Sequence, residues 1–151
     1  MFNPRVVAVI GDKGPGYTWL RNNMPFKEHG GALYSVQLDE KEIPGIEALG
    51  VTNYRSLADL PEPVDYAVVA VPRKVAPFVL KDLIANKAAG AGFFTSGFAE
   101  TGEELGIQLQ EQLTQMAREA SFNLVGPNCM GLYLPRSGVR FSADVPVTAE
   151  G

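Results

Sequence analysis

The sequence predicts an α/β protein, a Rossmann-like doubly wound parallel sheet built as a single domain. Three observations predict it. Short β-branched runs alternate with helical patterns along the chain. Those runs are apolar throughout rather than at every second residue, as strands covered on both faces are. Turns rich in glycine and proline follow them. Strands and helices in this order imply parallel pairing through right-handed crossovers. A length of 151 residues suits one domain with a substantial core rather than two.

The first strand is read at residues 5–10 (RVVAVI), stopped by Gly11, and a short helix is expected from Tyr17 to about Asn22. A second strand runs from about Ala32 to Leu38, and a looser stretch follows through Ile43 and Val51. Ser56 is placed to cap a short turn ending at Leu60. Asp65–Val71 is the clearest strand, ended by Pro72. Pro77 is expected to begin a helix with Leu80, Leu83 and Ile84 on one side, stopped by Gly90. Ala91–Thr95 forms the next strand. Thr101 and Glu104 have the spacing of a capping box for a helix to Ala120, whose apolar stripe would be Leu105, Leu109, Leu113, Met116 and Ala120. Phe122–Val125 is the last strand, and an irregular tail opens at Gly126.

Doubly wound sheets bind ligands outside the carboxyl ends of their strands. The first such loop, Gly11, Asp12, Lys13, Gly14, Pro15 and Gly16, could bring backbone amides to a phosphate, with Lys13 as a cation, or could simply reverse the chain. Its G-x-x-G-x-G spacing is neither the dinucleotide fingerprint nor a P-loop. Gln37, Leu38, Asp39, Glu40 and Lys41 follow strand two. An acid there could take ribose hydroxyls, as in nicotinamide-dinucleotide folds, or the segment could be a solvated charged loop. Pro72, Arg73 and Lys74 offer cations to a pyrophosphate or to solvent. Thr95, Ser96 and Gly97 suit hydrogen bonding to a ligand or shape a turn. Asn128 either contacts a ligand or pins loops.

Several function classes are excluded or disfavoured. The net charge of −4 carries no basic cluster for nucleic acid. No apolar run approaches the roughly 18–20 residues of a membrane span, and the N-terminus does not read as a secretory signal. The single cysteine, Cys129, allows no intrachain disulfide and fits a reducing cytoplasm. One cysteine and one histidine, His29, make no zinc site of common spacing, and neither has a partner nominating it for catalysis.

Residues 64–72 (VDYAVVAVP), 94–102 (FTSGFAETG) and 126–131 (GPNCMG), with 56–61 (SLADLP) and the Gly11–Gly16 loop, together resemble the CoA-binding domain of ADP-forming acyl-CoA synthetases. The likeness extends more distantly to the succinyl-CoA synthetase α-subunit and covers nearly the whole chain. It implies coenzyme A as ligand. Gly11, Lys13, Gly14 and Gly16 would meet phosphates, Val71, Pro72 and Arg73 would line the nucleotide, and Thr95, Ser96 and Gly97 would follow the pantetheine, with Asn128 toward the thiol. The resemblance also implies partners, the phosphohistidine and ATP-grasp domains or subunits of the full enzyme. Residues 1–136 would form the domain, and 137–151 a tail linking to the phosphohistidine domain. The domain would bind and not turn over by itself. Relatives often carry a lysine where this chain has Asp39, which would repel the 3′-phosphate of CoA unless Lys41 or Lys13 compensates. An NAD(H)-binding redox or sensor domain is the alternative, and a docking domain with an empty crevice is a third.

Overall fold

The computed structural model describes residues 1–147. Thr148–Gly151, the last part of the expected linker, lie outside the described residues. Six strands form one sheet in the order β3-β2-β1-β4-β5-β6, every neighbouring pair parallel. In chain order they are β1 (Val6–Ile10), β2 (Ala32–Val36), β3 (Thr52–Tyr54), β4 (Tyr66–Val69), β5 (Gly90–Phe93) and β6 (Asn123–Val125). The helices are α1 (Thr18–Asn22), α2 (Met24–Glu28), α3 (Ile43–Ala48), α4 (Ala76–Ala85) and α5 (Glu104–Glu119). The expected Rossmann-like doubly wound fold is present.

Side-chain alternation divides the core into two layers. Ala8 and Ile10 of β1, Ala67 and Val69 of β4, and Ala91 and Phe93 of β5 face α4 and α5, meeting Leu80, Leu83 and Leu113. Val7, Val9, Leu33, Tyr66 and Val68 face the other way, onto Leu20, Phe26 and Ile46 of α1–α3. The central strand β1 is buried at all five positions, which is why it reads as an unbroken apolar run. Residues past 136 return to this second layer. Leu134 bridges to Val139, Val139 is buried there, and Arg140 Nε donates to the Asn22 carbonyl at 3.0 Å.

Four local expectations change. The stretch after β2 contains a helix and a three-residue strand, α3 and β3, and Met24–Glu28 adds α2. Gly90 does not stop α4; it opens β5, and Lys87 takes the positive φ of the turn. The capping box does not form. Thr101 lies in a 3-10 turn, its hydroxyl donates to the Phe98 carbonyl at 2.9 Å, and Glu103 stands at the N-cap with no side-chain cap. The buried stripe of α5 is rotated. Gly106, Leu113 and Ala117 face the core, while Leu105 and Ala120 are exposed. Gly106 sits there because a Cβ would lie 2.3 Å from the Phe98 carbonyl oxygen.

Candidate functional site

The strand order reverses between β1 and β4, so the loops after these strands diverge and leave a crevice at their carboxyl ends. Gly11 stands at that point with φ +83°, and a Cβ there would lie 2.6 Å from Val71 Cγ1 and 3.0 Å from the Ala70 carbonyl oxygen. Both its backbone and its neighbour therefore demand glycine.

Asp12, next in the loop, is only 4 % exposed and points inward. Its carboxylate accepts from Leu20 N at 2.8 Å and Lys13 N at 3.0 Å, tying the loop to α1. Burial pushes the Asp12 pKa up, against the pull of these amide hydrogen bonds. Gly14 N–H donates to Glu42 Oε2 at 2.8 Å, so a carboxylate already occupies one amide of the glycine loop. Pro15 and Gly16 are exposed, and the Gly16 carbonyl accepts from Arg21 Nε at 2.9 Å. Lys13 alone in this loop presents a side chain free for an anion; its ammonium is exposed and makes no hydrogen bond or ion pair with the described residues.

A cleft of about 270 Å³ opens beside Lys13 on the α4 side of the sheet. Ile10, Val36, Leu57, Val71, Val75 and Val79 give it apolar walls, and Gln37, Arg55, Ser56 and Asp82 give it polar edges. Gln37 is buried and braced three ways. Its Nε2 donates to the Asp12 carbonyl at 2.8 Å, and its Oε1 accepts from Leu38 N at 2.8 Å and Asp39 N at 3.0 Å. The loops after β1 and β2 are thus locked together by one amide. Asp39 is not among the cleft-lining residues. Its carboxylate instead accepts from Lys41 N at 3.1 Å, inside its own turn. A second, more open depression touches Gly11, Asp12, Lys13, Thr18, Trp19 and Ala70, so Gly11 and Lys13 border both.

Farther along the strand ends, the predicted residues hold one another. Arg73 Nη1 donates to the Gly97 carbonyl at 2.6 Å and to Glu103 Oε2 at 2.7 Å. Thr95 Oγ1 donates to the Val71 carbonyl at 2.7 Å, and Asn128 N donates to the Thr95 carbonyl at 2.9 Å. Glu100 accepts from Gly97 N at 2.6 Å and Phe98 N at 3.0 Å, and these amides hold its carboxyl below the usual range. Ser96 and the Asn128 side chain face solvent. Gly11, Lys13, Gln37, Val71 and Pro72 therefore share the cleft, whereas Arg73, Thr95, Gly97 and Asn128 form an adjoining clamp between the ends of β4, β5 and β6.

No cluster of three or more His, Cys, Asp or Glu side chains able to hold a metal occurs among the described residues. His29 is exposed in the turn before β2, at the amino edge of the sheet and away from the cleft. Cys129 Sγ lies 3.3 Å from the Val125 carbonyl oxygen, and burial pushes its thiol pKa up, which disfavours a thiolate. No helix among the described residues is long and apolar enough to cross a membrane.

The family model described as CoA binding domain matches residues 5–135. The chain belongs to the CoA-binding domain family. This CoA-binding domain is 35 % identical over 135 residues to subunit alpha of ADP-forming acetate–CoA ligase II from Pyrococcus furiosus, covering 87 % of the chain and 28 % of that protein. It is 35 % identical over 136 residues to ADP-forming acetate–CoA ligase I from Archaeoglobus fulgidus, covering 87 % of the chain and 18 % of the relative. Among solved structures, the apo form of dinucleotide-forming acetyl-coenzyme A synthetase 1 from Candidatus Korarchaeum cryptofilum superposes with a TM-score of 0.77. It is 30 % identical, with 93 % of this chain and 30 % of that chain covered. The CoA-binding domain thus spans less than a third of the length of each of these proteins.

Three residues that shape the site escape sequence reading. Glu42 lies 28 residues from Gly14, and Glu103 lies 30 from Arg73, so no local spacing signals either pairing. Arg55 could have been found had β3 been recognised, since it follows that strand at its carboxyl end.

Proposed function

We propose that this CoA-binding domain holds CoA across the carboxyl ends of its strands, as the CoA site of an ADP-forming acyl-CoA synthetase. The carrying observation is the cleft at the switch point, apolar on its walls and bordered by a free lysine at one end. Adenine fits between Ile10, Val36, Val71 and Val79, and the Asp82 carboxylate offers an acceptor to its amino group. The pyrophosphate would cross Gly11 and Lys13, which border both depressions. Pantetheine would then follow the clamp of Val71, Thr95 and Gly97 toward Asn128. In this reading Asp12, Gln37 and Arg73 act by fixing loops, not by touching the ligand.

The complete enzyme would need an acid-binding site, a phosphohistidine and an ATP-grasp partner, all outside the cleft described. His29 is at the wrong edge of the sheet to serve as the phosphoryl carrier. The chain alone would bind CoA in the cytoplasm and carry out no ligation. Isothermal calorimetry with CoA tests the reading: saturable heat at one site supports it, and no heat up to millimolar CoA overturns it. The NAD(H) alternative needs an acid at the ribose, and Asp39 is turned into its own loop.

A further inference from the structure

We propose that Arg55 receives the 3′-phosphate of CoA and is the residue by which this domain distinguishes CoA from dephospho-CoA. The inference rests on the CoA reading above and adds a specificity residue to it.

The lining of the cleft contains two cations, Lys13 and Arg55. Their positions follow from the strand order. Lys13 comes after β1, and it borders both the main cleft and the depression beyond it. Arg55 comes directly after β3, the outermost strand, so it closes the cleft on the side away from β4 and β5. A ligand whose pantetheine runs toward the β4 and β5 loops passes its pyrophosphate over Lys13. The remaining anionic group of a 3′-phosphoadenosine then points to the opposite rim, where Arg55 stands.

The state of the Arg55 side chain suits that role. Its Nη2 is 2.5 Å from Glu40 Oε1, and the two side chains are 61 % and 74 % exposed. An exposed pair of this kind is weak and screened. A phosphate dianion can replace Glu40 and engage the planar guanidinium through two parallel hydrogen bonds. Asp39, the residue expected to repel that phosphate, is bound into its own turn, and neither it nor Lys41 lines the cleft. Glu40 is therefore the competing anion.

The test is calorimetric titration of the intact chain and of Arg55→Gln, Arg55→Lys, Glu40→Gln and Lys13→Gln with CoA and with dephospho-CoA. The unaltered chain should prefer CoA by about tenfold or more. Arg55→Gln should abolish that preference by weakening CoA while leaving dephospho-CoA affinity unchanged. Arg55→Lys should restore part of it, Glu40→Gln should enlarge it, and Lys13→Gln should weaken both ligands alike. Arg55 is exposed, and matching melting curves will show that its variants fold. Equal affinity of the unaltered chain for both ligands, or an undiminished preference in Arg55→Gln, overturns the assignment while leaving the CoA reading standing. Failure of both ligands to bind the unaltered chain overturns both.

Discussion

Replacing Gly11 with alanine tests the link between the sheet's switch point and the cleft. The residue holds φ at +83°, and left-handed backbone costs an L-residue roughly 1–2 kcal/mol. The new methyl would also lie 2.6 Å from Val71 Cγ1, where carbon atoms need about 3.5–4.0 Å. Relief requires a shift of about 1 Å at a partly buried strand end, and overpacking of that kind costs about 1–3 kcal/mol. The two effects sum to about 2–5 kcal/mol, a large part of a domain's usual stability. Val71 also walls the cleft, so CoA affinity should fall about tenfold in the molecules that remain folded. Urea unfolding gives the first quantity and calorimetry the second. Gly16→Ala is the control, because its Cβ would sit 3.4 Å from Thr18 Oγ1 in an ordinary backbone, and it should change stability by less than about 0.5 kcal/mol. A loss below about 1 kcal/mol for Gly11→Ala, or equal losses at both positions, would show that neither the backbone nor Val71 requires glycine at position 11.

Asp12 carries a pH signature. Because the fold raises its pKa above 3.8, the native state binds that proton more tightly than the unfolded chain. Its stabilising term is complete below about pH 3.8 and is lost as pH rises through the raised value. The stability of the unaltered chain minus that of Asp12→Asn should therefore decrease from pH 3.5 toward neutrality, and a rising difference in parallel urea melts would contradict this. Arg73→Gln breaks contacts to Gly97 and Glu103 at a partly exposed site, so it should cost about 1 kcal/mol of stability and couple to Glu103→Gln by about 0.5 kcal/mol in a double-mutant cycle. Additive losses there would argue against the clamp. Gly106→Ala should destabilise by about 1–3 kcal/mol against the Phe98 carbonyl, whereas Leu105→Ala should cost less than about 1 kcal/mol. The reverse order in thermal melts would restore the unrotated stripe.

The elements most legible in the sequence are those whose burial leaves an unbroken apolar run. β1 and β4 are covered on both faces by helices, and their composition says so. β3 is three exposed or partly exposed residues at the sheet edge, too short to show a period. In α5 the hydropathy pattern favours Leu105, but the helix turns Gly106 inward because only a residue without a side chain can approach the Phe98 carbonyl. Hydropathy cannot register that preference. The site divides in the same way. Its location follows from the order of strands, and Gly11, Lys13, Val71 and Pro72 are legible from that order. What each polar side chain does depends on partners distant in sequence. Asp12 and Gln37 both stand among the expected ligand residues; Asp12 ties its loop to α1, and Gln37 braces two loops at once.

CoA is proposed to lie along the carboxyl ends of the strands, entering at the cleft between β1, β2 and β4. Titrating CoA into ¹⁵N-labelled protein tests it most directly, because every backbone amide reports its own surroundings. Saturable shifts are expected at Gly11, Lys13, Leu38 and Val71, continuing through Ser96 and Gly97, with α5 and the amino edge of the sheet unmoved. Shifts concentrated on α5 or around His29, or none at saturating CoA, would contradict it.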